Sequence, residues 1–187
     1  MPSRTRHTVL YVFDDVETFP MLDSETTARS PVTARVEGQR PDARLRVAWK
    51  RGDDDPPVVD VVLALPPLAI DGELEELLLD VSGDAGGCSV SVKVDDGQGQ
   101  GFSYPLGQVD FTGRCTLAAK VKEPGESWGP QHPDVTTTVV PPLRPYELWL
   151  TMSESYQAMD IVLWTLSVTG DVRLAPPGIA TRTRRPG

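Results

Sequence analysis

The chain has 187 residues, a length typical of one domain with short tails. Apolar residues make up 39% and charged residues 24%, which indicates a globular core and argues against a disordered chain. The net charge of −9 argues against nucleic acid as the main partner, because phosphate binding needs a cationic surface. The charges are unevenly spread: residues 29–51 hold seven basic groups, and residues 53–84 hold ten acids and no base.

Apolar and polar residues alternate with a period of two along most of the chain, which predicts β-strands. The segments 58–65 and 74–81 are more continuously apolar, as in strands covered on both faces. Glycines at 95–101 and the sequence VDFTG at 109–113 predict turns between strands. The predicted strands, in chain order, are 7–13, 32–37, 43–49, 58–65, 74–81, 88–95, 102–106, 115–121, 146–152 and 161–168.

About ten short strands without a convincing helix predict an all-β antiparallel sandwich, or jelly roll, over residues 8–170. The basic ends, 1–7 and 171–187, are predicted to be flexible tails. The segment 122–143 holds five prolines and is predicted to be a long surface loop. No stretch approaches the roughly 18 apolar residues of a membrane span. No secretory signal is present as written, which leaves two expectations: the protein stays in the cell, or it is a module of a longer exported chain and is extracellular.

Alternation within each strand assigns side chains to an inner and an outer face. Trp49 and Trp164 alternate with apolar neighbours and are predicted to lie in the core. Cys88 and Cys115 are predicted to be small buried hydrophobes, and a disulfide between them stays open because sequence does not supply the distance. The inner sets of three strands are Cys88, Val90, Val92 and Val94; Cys115, Leu117, Ala119 and Val121; and Tyr146, Leu148, Leu150 and Met152.

The outer faces of the same three strands suggest a sugar platform. A tryptophan ring can stack on the apolar C–H face of a sugar, and charged groups and hydroxyls around it can bond to the sugar hydroxyls. The alternative is that the segment 122–143 or a partner domain covers this face. The predicted ligand-binding residues are Trp149, Glu147, Lys93 and Lys120, with Trp128 as a second wall.

Catalytic arrangements find little support in the sequence. His7 and His132 lie in a terminus and a proline-rich segment, where no third group is expected to hold them for nucleophilic catalysis. Glu73 and Glu75 share a strand face and suggest a glycosidase pair, but 27 acidic residues produce some close pairs by chance. We therefore expect a protein that is not an enzyme and requires no cofactor.

Three segments carry a family resemblance. They are the start FDDVE at 13–17, the stretch LLLDVSGDAGGCSVSVKVDDGQGQGFSYPLGQVDFTGRCTLAAKV at 77–121, and PLRPYELWLTM at 142–152. Their order resembles the galactose-binding-like jelly roll of carbohydrate-binding modules and glycosidase accessory domains, over about residues 9–169. The resemblance implies a non-catalytic module that binds a glycan or polysaccharide beside a glycoside hydrolase or other protein domain. The alternative function is a structural or interaction domain that packs against a partner without binding sugar.

The resemblance also implies a structural calcium ion beside acids of the first strand. Asp14 and Glu17 follow that strand, and Asp160 begins the last one, so these three residues are the predicted oxygen ligands. The alternative is an acidic turn left in water. Two positions depart from the family: the last strand reads LWTL at 163–166 without a carboxylate, and Arg114 stands where the family has a tryptophan.

Overall fold

The computed structural model describes residues 6–121, the backbone of residues 126–128, and residues 139–175. This part of the chain forms twelve strands and no helix, and so contains no helix that could cross a membrane. The strands, in chain order, are β1 (Arg6–Val12), β2 (Met21–Leu22), β3 (Val32–Glu37), β4 (Arg44–Lys50), β5 (Val59–Ala64), β6 (Ala69–Asp84), β7 (Ser89–Asp95), β8 (Gly101–Gln108), β9 (Thr112–Lys120), β10 (Glu126–Trp128), β11 (Arg144–Met152) and β12 (Ala158–Ala175).

The strands form two six-stranded sheets, which confirms the predicted all-β antiparallel sandwich. The first sheet has the order β3-β4-β12-β6-β9, and β1 also pairs with β12. The second sheet has the order β10-β8-β7-β11-β5-β2. The segment 74–81, whose leucines could also suit a helix, lies within β6 and pairs with β12 and β9.

The core lies between the inner faces of the two sheets. Leu148 and Leu150 of β11 have no exposed surface, whereas Trp149 between them is partly exposed. The same alternation holds in β4, where Leu45 and Val47 are fully buried. Each such aliphatic side chain contributes about 1.5–3 kcal/mol through removal from water. The predicted inner position of Trp49 is confirmed, since 3% of its surface is exposed.

The glycine-rich segment forms the predicted hairpin between β7 and β8, and Asp96 holds it together. Asp96 is fully buried. Its carboxylate accepts hydrogen bonds from the backbone N–H groups of Gln98 and Gln100, both at 2.9 Å, and from that of Val140 at 3.3 Å. One side chain therefore fixes the hairpin and ties the chain entering β11 to it.

The predicted core position of Trp164 is wrong, because β12 contains a bulge. In the pairing with β6, the register shifts between Leu163 and Thr165. A bulge adds one residue to a strand and so changes which face the following residues occupy. Leu163 and Leu166 are therefore both buried, and Trp164 lies on the outer face with its Nε1 donating to Ser82 Oγ at 2.9 Å. The bulge also marks the point where the neighbour of β12 changes from β4 to β1.

The predicted burial of the two cysteines is half right. Cys88 is fully buried, as expected, but Cys115 is exposed, and both thiols are free. Cys115 pairs with the buried Val81, so its face is the predicted one. All residues from Thr112 to Thr116 are exposed, and β9 is the edge strand of its sheet, with a neighbouring strand on one side only.

Strand pairing runs beyond the predicted domain limits at both ends. β1 begins at Arg6, which pairs with Gly170, and β12 continues to Ala175, which pairs with Ala69. The predicted flexible tails are therefore too long by these paired residues. The remaining tail residues, 1–5 and 176–187, lie outside the described residues, as does most of the predicted loop, with His132.

The two thiols should differ sharply in reactivity. Burial, with a smaller contribution from Asp84, raises the pKa of Cys88 to about 12, so its reactive thiolate is scarce at neutral pH. A thiol reagent added to the native protein should therefore modify Cys115 quickly and Cys88 only after unfolding. Mass spectrometry of the labelled protein measures this, with Cys115→Ser as the control that should show no fast labelling. Two fast equivalents in the native protein would contradict the burial of Cys88.

Candidate functional site

The outer face of the second sheet carries a tryptophan among polar and charged side chains. We call it the Trp149 face. It spans the middle strands β7, β11 and β5, whose alternate residues are buried in the core. The side chains that define the face are Ser89, Ser91 and Lys93 of β7; Glu147, Trp149 and Thr151 of β11; and Asp60 and Val62 of β5.

Strand register places these side chains in three rows across the sheet. Lys93 lies opposite Glu147 in the first row. Trp149 occupies the centre of the second row, between Ser91 and Val62, and Thr151 lies between Ser89 and Asp60 in the third. Directly opposite residues have Cβ atoms about 5 Å apart, so the three rows form one continuous surface.

Two charged neighbours fix the orientation of Trp149. Its indole Nε1 donates to Glu147 Oε2 at 2.7 Å. The Nζ atom of Lys93 lies 4.0 Å from the centroid of the indole ring, within cation–π range. Both Lys93 and Trp149 make further interactions beyond these two. The ring is thus held rigidly and stays partly exposed, which is what a stacking platform requires.

Lys93 is a buried cation, with 5% of its surface exposed. Burial lowers its pKa, and the carboxylates of Glu147 and Asp60 partly oppose this shift. A buried ammonium is costly unless paired, so these two carboxylates are the reason that the cation can lie there. The first and third rows of the face are therefore linked by electrostatics as well as by register.

Asp60 is a site residue that the sequence analysis did not single out. Its surface is 7% exposed, and its carboxylate accepts hydrogen bonds from the hydroxyls of Thr26 and Thr151, the latter at 2.5 Å. Its backbone N–H donates to the Thr26 carbonyl at 2.9 Å. Asp60 is the one acid inside the apolar run 58–65. An acid in such a strand is buried and needs hydrogen-bond partners, so its position in the sequence marks it as a residue of interest.

A shallow pocket of about 280 Å³ adjoins the face at the edge formed by β2 and β5. Asp60 and Val62 line it, and Val62 is the cross-strand neighbour of Trp149. Met21 and Leu22 line its other side and are both exposed, at 45% and 38%. The Trp149 face is therefore continuous with a depression that offers apolar surface and one buried carboxylate.

A second aromatic residue, Tyr146, borders the face, although alternation predicts that it points inward. The register of β11 on β7 shifts between Pro145 and Glu147, and Tyr146 is not part of the core cluster. Burial, then Asp95 and Glu147, raise the pKa of Tyr146 to about 12. Burial is also the first cause of the raised pKa of Asp95. The bulge thus brings Tyr146 near the acids at one end of the face.

The structure separates Lys120 from the other predicted ligand-binding residues. Lys120 lies in β9 of the first sheet, opposite Glu76, and so its predicted place beside Trp149 is wrong. Alternation gives the face of a residue within its own strand, but not the sheet that the strand joins. Trp128 belongs to β10 at the edge of the second sheet, where its backbone pairs with Gly101, and its side chain lies outside the described residues.

The predicted calcium ligands have other partners in the structure. Asp14 forms an ion pair with Arg40 at 3.0 Å, and Arg46 Nε donates to Asp160 Oδ1 at 2.6 Å. Glu17 is exposed. Within residues 6–121 and 139–175, no group of three or more histidine, cysteine or acidic side chains is arranged to hold a metal ion. Calcium binding stays a prediction from the sequence.

The residues weighed for catalysis lie on the first sheet. Glu73 and Glu75 are exposed on β6. His7 of β1 has its Nε2 2.8 Å from Ser167 Oγ, and no carboxylate bonds to the His7 ring among the hydrogen bonds of the described residues. Neither set is close in the sheet to the Trp149 face, because they belong to the opposite sheet.

The similarity of this chain to known proteins is found in its three-dimensional structure and not in its sequence. No protein-family model matches the chain, and no curated protein sequence matches it. A family 11 carbohydrate-binding module from Clostridium thermocellum, in complex with a beta-1,3-1,4-mixed-linked tetrasaccharide, superposes with a TM-score of 0.56 at 12% identity. The match covers 87% of this chain and 94% of that one.

Two further solved structures agree. The family 11 module of the cellulosomal cellulase Lic26A-Cel5E of Clostridium thermocellum gives a TM-score of 0.57 at 13% identity, with 89% and 95% of the two chains covered. The agarase AgWH50C gives 0.52 at 14% identity, with 88% of this chain but 24% of the agarase covered. The chain therefore has the jelly-roll fold of carbohydrate-binding modules and of a domain within a glycosidase, as the sequence predicts.

Proposed function

We propose that the chain is a non-catalytic glycan-binding module that holds a polysaccharide on the Trp149 face. One observation carries the proposal: a partly exposed indole is fixed between Glu147 and Lys93 in the middle of a polar sheet face. An aromatic ring that is rigid before the ligand arrives loses little entropy on binding, which favours affinity.

The chemistry of the face suits sugar hydroxyls. The exposed part of the indole offers an apolar surface for the C–H face of a pyranose ring. Glu147 accepts hydrogen bonds, and the hydroxyls of Ser91 and Thr151 can donate or accept them. Lys93 and Asp60 add a donor and an acceptor through the small part of each side chain that is exposed. Each such bond replaces one to water, so we expect micromolar to millimolar dissociation constants, about 4–8 kcal/mol.

The structural neighbours suggest the first ligand to test. One of the two family 11 modules was solved with a beta-1,3-1,4-mixed-linked tetrasaccharide, and its fold matches this chain over most of both lengths. We therefore choose soluble mixed-linked β-glucan as the probe. In the agarase the matching part is a quarter of a longer chain, which supports a role beside a glycoside hydrolase.

Trp149→Ala should remove glycan binding without unfolding the protein. The loss of the stacking surface should weaken binding at least about tenfold, as for buried aromatic anchors of interfaces. Affinity electrophoresis in gels containing mixed-linked β-glucan measures the effect. The matched control is Trp164→Ala, since Trp164 is also partly exposed but lies on the opposite sheet. Equal retardation of both variants and the parent would contradict a role for the Trp149 face.

A pair of lysine variants, one on each sheet, tests which sheet binds the glycan. Lys93→Met keeps the aliphatic stem but removes the ammonium that can donate to a sugar hydroxyl, and we expect about tenfold weaker binding. Lys120→Met makes the same chemical change on the first sheet and should leave binding unchanged. Isothermal titration with the oligosaccharide gives both constants. Weaker binding by the Lys120 variant alone would move the site to the other sheet.

A further inference from the structure

The outer face of the first sheet has a different composition, and we call it the Trp164 face. It carries arginines from strands on both sides of β12, and two of them, Arg44 and Arg46, come from the basic segment 29–51. The side chains that define the Trp164 face are Arg44, Arg46, Asp80, Arg114, Asp160 and Trp164.

Trp164 is the centre of this face and orders two cations. The Arg44 guanidinium carbon lies 4.2 Å from the centroid of the indole ring, and that of Arg114 lies 3.8 Å from it. The two arginines reach the ring from β4 on one side of β12 and from β9 on the other. Trp164 follows the buried Leu163 and lies at the bulge, which returns Leu166 to the core while the ring stays outside, and bulges often occur beside functional sites.

Two of the three guanidinium groups of the face, those of Arg46 and Arg114, are bonded to carboxylates. Arg114 Nε donates to both carboxylate oxygens of Asp80, at 3.0 and 3.1 Å. Arg46 bonds to Asp160 through two nitrogens and to Glu37 at 2.9 Å. These guanidinium groups remain in contact with solvent, since 51% of the Arg114 side chain and 32% of the Arg46 side chain are exposed.

Arg44 is the cation that is left over. Glu37 lies directly opposite Arg44 in the pairing of β3 and β4, but the Glu37 carboxylate bonds to Arg46 and Arg35 instead. Arg44 forms no ion pair with any residue that the structure describes. A guanidinium group stacked in place on an indole, with its fork of N–H donors not used by a carboxylate, is prepared to receive one.

We propose that the Trp164 face is a second binding surface, independent of the glycan site, which docks an acidic polypeptide surface through a carboxylate that reaches Arg44, beside the positive charge of the solvent-exposed Arg114. The chemistry favours this partner because guanidinium forks match carboxylates in bidentate geometry. Arginine and tryptophan are also the residues that most often dominate protein–protein binding energy.

A polypeptide suits the face better than an acidic polysaccharide. Two guanidinium groups lie over the Trp164 ring and therefore compete with a sugar ring for its faces. The face extends across the strands β4, β12, β6 and β9 of the first sheet. Arginine and aromatic residues, which form the centre of this face, are enriched in interfaces between proteins.

Poly-L-glutamate is the probe for this surface, titrated against the fluorescently labelled full chain at low salt. The parent should bind, and Arg44→Gln should bind about fivefold more weakly, as expected for one solvent-exposed ion pair. The matched control is Arg173→Gln, which makes the same change of net charge at an exposed position near the end of β12. Arg173→Gln should bind like the parent.

Three further measurements decide the outcome. Arg114→Gln, at a more exposed position, should also weaken binding and guards against a folding defect in the Arg44 variant. Trp149→Ala should bind poly-L-glutamate normally, which separates this surface from the glycan site. Absence of binding by the parent, or equal losses in the Arg44 and Arg173 variants, would overturn the proposal. Tighter binding of polygalacturonate than of poly-L-glutamate would overturn it in favour of an acidic glycan.

Discussion

The packing of two apolar sheet faces against each other is the constraint on which the rest of the molecule depends. Because side chains alternate along a strand, every leucine or valine committed to the core determines which neighbour reaches the outer surface. In β11, burial of Leu148 and Leu150 leaves no choice but to present Trp149 outside. The composition of the Trp149 face is therefore determined by the core, and a shift of one residue would bury Trp149 and expose the leucines.

Both outer faces use charge to hold a tryptophan still, but with opposite results. At Trp149 a nearly buried ammonium lies over the ring, and the carboxylates of Glu147 and Asp60 act on that ammonium. The positive charge beside this ring is therefore balanced by negative charge. At Trp164 two guanidinium groups lie over the ring, and one of them is left without a carboxylate in the described structure. Under the two proposals, a module with net negative charge carries one surface for hydroxyl-rich ligands and another for anionic ones.

Alternation predicts the sandwich and the outward position of Trp149 because both depend on period-two patterns within single strands. It fails at Trp164 and Tyr146 for one reason: bulges in β12 and β11 change the face in mid-strand, and nothing in the local composition marks them. It misplaces Lys120 because the sheet that a strand joins depends on long-range pairing. Asp60 had a readable signal, an acid within an apolar run, and its threonine partners come from distant parts of the chain.

The pairing of Arg6 with Gly170 brings the first described residue of the chain beside the last strand, only a few residues from Ala175. Both ends of the fold consequently leave the same strand pair of the first sheet. A domain whose two ends lie close together can be inserted into a surface loop of another protein without disrupting the fold of that protein. Two connections that leave neighbouring strands of the first sheet thus allow the module to be attached through a surface loop of another protein, on the sheet opposite the Trp149 face.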